Sequence, residues 1–223
     1  MKIAEIFYSI QGEGSLVGVP SVFVRTSGCN LRCVWCDTPY TSWQPEGEDW
    51  PLEKILAEAD LHPAQHVVIT GGEPMIARGI VELTRGFRDR GRHITIETAG
   101  TVFAAVECDL MSISPKLANS TPQGDWADRH ERLRIQPETL RRLMADYDYQ
   151  LKFVIARPDD ISEIGDLVSG LNADTAKVIL MPEGTNAAVL HERGVWLAEI
   201  CKTHSYRFSP RLHVDLYGTR RGI

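Results

Sequence analysis

The sequence lacks a surplus of positive charge, a long apolar run, an evenly paired set of cysteines and a linker. Lys and Arg number 24 against 30 Asp and Glu, giving a net charge of −6 over 223 residues. Without a broad basic face, no nucleic-acid partner is expected. No stretch approaches the ~20 apolar residues of a membrane helix, and Glu5 stands inside any would-be signal peptide. The expectation is a cytoplasmic protein with no membrane partner. No repeat, low-complexity tract or Ser/Gly linker interrupts the chain, so residues 1–223 read as one domain. Hydrophobic residues at 43% and charged residues at 24% are ordinary globular values, which excludes disorder and fibrous repeats.

The five cysteines are an odd number, and three of them (Cys29, Cys33, Cys36) fall within eight residues. A disulfide framework would be even and spread along the chain, whereas a tight trio in a reducing compartment indicates metal. The C-x3-C-x2-C run contains no histidine, so a closed zinc site would need a distant fourth ligand such as Cys108, Cys201 or a histidine. A 4Fe–4S cluster held by three thiolates leaves one iron open to another ligand.

Short β-rich runs alternate with helical segments. Strands are expected at 3–8, 22–26, 67–70, 93–97, 110–114, 150–156, 177–181 and 207–214, and helices at 51–60, 75–90, 137–147, 158–171 and 186–203. Runs such as Val67-Val68-Ile69 have the unbroken apolar character of strands covered on both faces. The βαβα order predicts an α/β fold with a parallel sheet and right-handed crossovers, open or rolled into a partial barrel. Gln11–Pro20, with three glycines and a proline, reads as the loop of an N-terminal β-hairpin extension over residues 1–20. Residues 118–134, polar and aperiodic, read as an insertion. Polar groups follow several strands (26–37, 70–74, 97–100, 114–116 and 182–184), which points to one site at the carboxyl rim of the sheet.

With Trp35 directly before the last cysteine, the C-x3-C-x2-C run after a strand resembles the radical S-adenosylmethionine superfamily. The resemblance implies an incomplete parallel (β/α) barrel. It also implies a 4Fe–4S cluster on Cys29, Cys33 and Cys36, whose open iron binds S-adenosylmethionine, and reductive cleavage to a 5′-deoxyadenosyl radical. Gly71-Gly72-Glu73-Pro74 matches the superfamily's GGE motif, which implies that Gly72 and Glu73 hold the methionine amino group. Alone, the segment would be a turn with a capping acid. Ser114-Pro115-Lys116 after one strand and Met181-Pro182-Glu183-Gly184 after another are candidate cofactor contacts; the plain alternatives are a helix cap and a turn.

The flanks narrow the branch. Ile6–Gly14, Val22–Cys29, Cys36-Asp37-Thr38 and the terminal Arg211-Leu212-His213 resemble the 7-carboxy-7-deazaguanine synthase family. Its members convert 6-carboxy-5,6,7,8-tetrahydropterin into 7-carboxy-7-deazaguanine on the queuosine route. The reaction contracts the ring, expels ammonia and regenerates S-adenosylmethionine. The resemblance implies Mg²⁺ on the Thr38 hydroxyl; the neighbouring Asp37 is a candidate to hold a metal-bound water. It further implies an electron donor of the flavodoxin or ferredoxin type and a homodimer.

Arg25 can supply a fork for the pterin carboxylate, or else an ordinary strand ion pair. Gln11 and Glu13, with backbone groups of Ile10 and Gly12, offer the donor and acceptor edge that a 2-amino-4-oxo pyrimidine needs; otherwise they are polar hairpin tips. Thr70, His213 and the terminal Ile223 complete the expected substrate contacts. Two other readings stay open on the residues alone: a glycyl-radical activating enzyme, and a zinc-bound interaction module.

Overall fold

A computed structural model describes residues 1–223. In chain order the elements are β1 (Lys2–Ile10), β2 (Pro20–Thr26), α1 (Pro39–Ser42), β3 (Glu48–Asp49), α2 (Leu52–Asp60), β4 (His66–Gly71), α3 (Ile80–Arg88), β5 (His93–Thr98) and β6 (Leu110–Ile113). They continue as α4 (Ala127–Arg134), α5 (Pro137–Asp146), β7 (Tyr149–Ile155), α6 (Asp160–Leu171), β8 (Val178–Pro182), α7 (Ala187–His204), β9 (Arg207–Phe208) and α8 (Leu212–Tyr217). The nine strands form one sheet in the order β3-β1-β2-β4-β5-β6-β7-β8-β9. From β2 to β9 every neighbouring pair is parallel, while β1 lies antiparallel to β2. The edge strands do not pair with each other, so the sheet is an unclosed barrel.

The apolar runs behave as their composition requires. Val67, Val68 and Ile69 are all buried, as are Val178, Ile179 and Leu180, because helices cover one face and the barrel interior the other. Phe87 on α3 and Phe153 on β7 are wholly enclosed. Pro137 enters the first turn of α5, where its missing N–H is harmless, and Pro51 stands just before α2.

Two expectations need correction. The late strand over 207–214 stops at Phe208: Pro210 cannot donate to a ladder, and the chain turns there into α8, which carries His213. The helix expected over 75–90 is divided into a 3₁₀ turn at Pro74–Ile76 and α3, because Gly79 adopts φ of +88° between them. The polar stretch 118–134 contains a 3₁₀ turn at Ala118–Ser120 and the helix α4. Only His130 of α4 is buried, so no apolar stripe marks the helix in the sequence.

Candidate active site

The carboxyl ends of the parallel strands open into one cavity of about 310 Å³, within the range of small-molecule sites. Cys29, Cys33, Cys36, Trp35 and Thr38 reach it from the loop after β2, and Gly72 from the turn after β4. Ser114 and Lys116 enter after β6, and Met181 and Glu183 come from the end of β8. The same cavity is lined by Ile10, Gln11, Gly12 and Glu13 of the hairpin loop, Arg25 and Thr70 at strand ends, and His213 and Ile223 from the terminal segment. Glu73, Pro115, Pro182 and Gly184, expected at the cofactor, do not line the cavity.

The cysteine loop is held by backbone and side-chain hydrogen bonds to the 118–134 stretch. The Val34 N–H donates to the Ser120 carbonyl at 2.8 Å, and the Trp35 indole donates to the Asn119 carbonyl at 3.0 Å. His130 accepts from the Arg32 N–H on Nδ1 at 3.1 Å, and its Nε2 lies 2.9 Å from the Ser120 hydroxyl. That hydroxyl donates to the Leu117 carbonyl, so the ring is the Nε2–H tautomer. The 118–134 stretch thus forms the cradle of the loop. Burial pushes the Cys29 thiol up to about 12 and the Cys33 thiol up to about 11. Thiols so placed ionise only when a metal replaces their protons.

No three His, Cys, Asp or Glu side chains are gathered tightly enough to hold one ion. Three thiolates that each take a different iron of a cluster need no such common centre. Cys108 sits before β6, with its thiol on the Ile94 carbonyl near the opposite ends of the strands, and Cys201 is in the core on α7. Neither can complete a zinc site with the trio, and both nitrogens of His130 are engaged.

Glu73 is 0% exposed. It accepts from the Thr98 hydroxyl at 2.7 Å, the Ala99 N–H at 2.8 Å and the Met75 N–H at 3.1 Å. Burial raises its pKa despite these donors. It therefore clamps the β5 rim to the β4 turn, and the part of that motif that lines the cavity is Gly71 and Gly72. Glu73→Gln presents an NH₂ to at least one existing donor. Denaturant titration is expected to show a loss of about 1–3 kcal/mol, the cost of an unsatisfied buried donor. An unchanged midpoint would refute the clamp.

Lys116 donates to the Ser114 hydroxyl at 2.9 Å and stands 5.7 Å from the Trp35 ring centre, beside the cysteines. Thr38 lies 3.4 Å from the Thr41 hydroxyl and 3.9 Å from the Cys36 sulfur. Arg25 donates from Nε to Glu5 at 2.7 Å and lines the cavity. Burial lowers the His213 pKa, favouring the neutral ring, and outweighs the opposing pull of Glu13. Gly12 is required here, since a Cβ would stand 2.0 Å from the His213 Nδ1.

Three functional groups were missed on sequence. Glu97, at the end of β5, accepts from Thr70 at 2.9 Å and from Gln11 at 3.1 Å; an acid closing an apolar strand run was the available signal. Lys152 is 4% exposed in the otherwise apolar second half of β7 and pairs with Glu13. A lysine inside a buried strand run is itself a flag. Arg211 pairs with both Glu13 and Asp37. These partners hold the Glu13 and Asp37 carboxyls below the usual range, although burial works against ionisation.

An unclosed parallel α/β barrel whose rim carries C-x3-C-x2-C defines the radical S-adenosylmethionine class, and the Radical SAM superfamily model matches residues 23–144. A 7-carboxy-7-deazaguanine synthase of Halobacterium salinarum is 46% identical, over 97% of this chain and 90% of its own length. A 7-carboxy-7-deazaguanine synthase of Rhodopirellula baltica is 44% identical, over 100% of this chain and 88% of its own. The crystal structure of QueE from Escherichia coli superposes with a TM-score of 0.71 at 27% identity, covering 95% of this chain and 94% of that one. The chain belongs to the 7-carboxy-7-deazaguanine synthase family of radical S-adenosylmethionine enzymes.

Proposed function

We propose that this protein converts 6-carboxy-5,6,7,8-tetrahydropterin into 7-carboxy-7-deazaguanine with loss of ammonia. The observation that carries the reading is one cavity lined both by the three thiols and by Gln11, Glu13, Arg25 and His213, in a chain 46% identical to a synthase of that name. The donor set fits a three-thiolate 4Fe–4S cluster, since the three thiols sit on one loop and line one cavity. When bound, the cluster supplies the electron that cleaves S-adenosylmethionine into a hydrogen-abstracting radical.

The chain's own residues orient the reactants and keep water out. Gly71 and Gly72 offer backbone at close range to the methionine end of the cofactor, with Ser114 and Lys116 beside it. With Nε occupied by Glu5, the terminal nitrogens of Arg25 are free to fork onto the pterin carboxylate. Gln11 and Glu13 face the pyrimidine edge, and neutral His213 can donate or accept against the bicycle. A hard Mg²⁺ on the Thr38 hydroxyl, next to the Asp37 carboxylate, would steady the substrate's negative charge. The same reading includes a flavodoxin- or ferredoxin-type electron donor, a homodimer and a cytoplasmic setting. No helix is long and apolar enough to cross a membrane.

The test is anaerobic turnover of reconstituted protein with S-adenosylmethionine, Mg²⁺, reductant and the carboxypterin, followed by mass and ultraviolet spectrum. Expected are the deazaguanine, one ammonia per turnover and undepleted S-adenosylmethionine. Deoxyadenosine accumulating without a deazapurine would overturn the substrate assignment.

A further inference from the structure

Arg211 is the most heavily committed side chain of the cavity, yet it sits beside the expected ligand positions and was assigned to none of them. It is 8% exposed and spends its guanidinium on three separate segments of the rim. Nε donates to Glu13 at 3.1 Å in the hairpin loop, and one terminal nitrogen donates to the Gly184 carbonyl at 2.7 Å after β8. The other terminal nitrogen donates to Asp37 at the end of the cysteine loop. The backbone beside it repeats the tie, with the Leu212 N–H on the Gly12 carbonyl at 2.9 Å. The Gly14 N–H donates to the Ser209 hydroxyl at 2.7 Å.

We infer that Arg211 is a positioning residue that registers the substrate-side hairpin loop against the cysteine loop, acting through Glu13 and Asp37. The inference rests on the reaction proposed above. A planar fork with five fixed donors can satisfy three acceptors in three directions, whereas a lysine ammonium on one flexible stem cannot hold that geometry. The Glu13 side chain is 14% exposed and that of Asp37 is 40% exposed; Arg211 forms an ion pair with both carboxylates, and Lys152 with Glu13 alone. Removing Arg211 leaves Asp37 without its partner and the two carboxylates repelling, so the loops that carry them separate. A displacement near 1 Å between hydrogen donor and acceptor costs about 100-fold in the reacting step. Cofactor cleavage, which needs only the cysteine-side wall, continues.

The experiment compares wild type, Arg211→Lys and Asp37→Asn as reconstituted holoenzymes. Arg211→Lys is expected to raise the KM for carboxypterin by about tenfold and to weaken binding of 7-carboxy-7-deazaguanine, measured calorimetrically without turnover, by a similar factor, ~1.4 kcal/mol. Deoxyadenosine is expected to accumulate in excess of product, while cluster absorbance and the KM for S-adenosylmethionine stay within about threefold of wild type. Asp37→Asn, on a more exposed side chain, keeps the shape and is expected to uncouple in the same direction. Added methylguanidinium is expected to restore coupling to Arg211→Ala.

Wild-type coupling, KM and product affinity in both Arg211→Lys and Asp37→Asn would overturn the inference. So would a loss confined to the melting temperature. Wild-type protein that neither binds the pterin nor makes deazaguanine would instead overturn the functional reading, and the inference with it.

Discussion

Replacing Cys29, Cys33 or Cys36 by serine, one at a time, is expected to remove the iron–sulfur absorbance and lower turnover by at least about 1000-fold, or ~4 kcal/mol of transition-state stabilisation. A serine hydroxyl in this position stays protonated and is a poor ligand for iron, so each substitution opens a second corner of the cluster. The loop itself should survive. It is held by Val34 on Ser120, Trp35 on Asn119 and Arg32 on His130, none of which uses a thiol. Melting temperatures of the unloaded variants should therefore match the unloaded parent. Cys108→Ser and Cys201→Ser are the matched controls, since neither thiol reaches the cavity. Both are expected to keep the absorbance and the activity. Iron content retained in any of the first three variants, or lost in Cys108→Ser or Cys201→Ser, would refute the assignment of ligands.

Gly72→Ala is expected to be nearly as severe for a different reason. An added Cβ would stand 2.2 Å from the Gly28 carbonyl oxygen and 2.7 Å from that of Thr41. Both obstacles are backbone, so no side chain can swing aside. The contact sits where the two loops are stitched together: the Glu73 N–H donates to Gly28 at 2.9 Å, and the Gly28 N–H donates to Thr41 at 2.8 Å. Gly28 immediately precedes Cys29, and displacing it moves the first thiol. The expected result is a loss of about 1–3 kcal/mol in stability from overpacking, with about a 100-fold fall in turnover, the scale of a 1 Å misplacement. Gly165→Ala on α6 is the control. Nothing lies within 4 Å of its added Cβ, and exchanging a helix-interior glycine for alanine should raise stability by about 0.5–1 kcal/mol. A Gly72→Ala protein with wild-type cluster content and turnover would show that the close approach does not matter.

Much of the site was legible because its chemistry is local. Three thiols spaced to reach three corners of a cube lie on eight consecutive residues, and each strand end announces itself by a change from apolar to polar. Gln11, Glu13 and Thr70 could be nominated for the same reason, as polar residues adjoining strand signals. The misses are residues whose importance depends on what stands opposite. Lys152 reads as an oddity within β7 until Glu13 is placed against it from 139 positions away. Arg211 reads as one more charge near the terminus until Asp37 and Gly184 arrive beside it. The motif names Glu73 but not its partners, and the fold sets its carboxylate on Thr98 and Ala99. The motif alone does not say which of its groups face the cavity.

The parallel sheet, the cysteine trio and the family follow from the order of residues, since strand periodicity, loop glycines and ligand spacing are short-range properties. Tertiary structure decided which walls meet. It carried the polar 118–134 stretch beneath the cysteine loop, ended the last strand at Phe208 so that α8 could bring His213 onto Gly12, and joined three distant loops on one guanidinium. Such pairings arise because buried charges and hydrogen-bonding groups must find partners wherever the chain brings them. Their sequence separation carries no trace of that requirement.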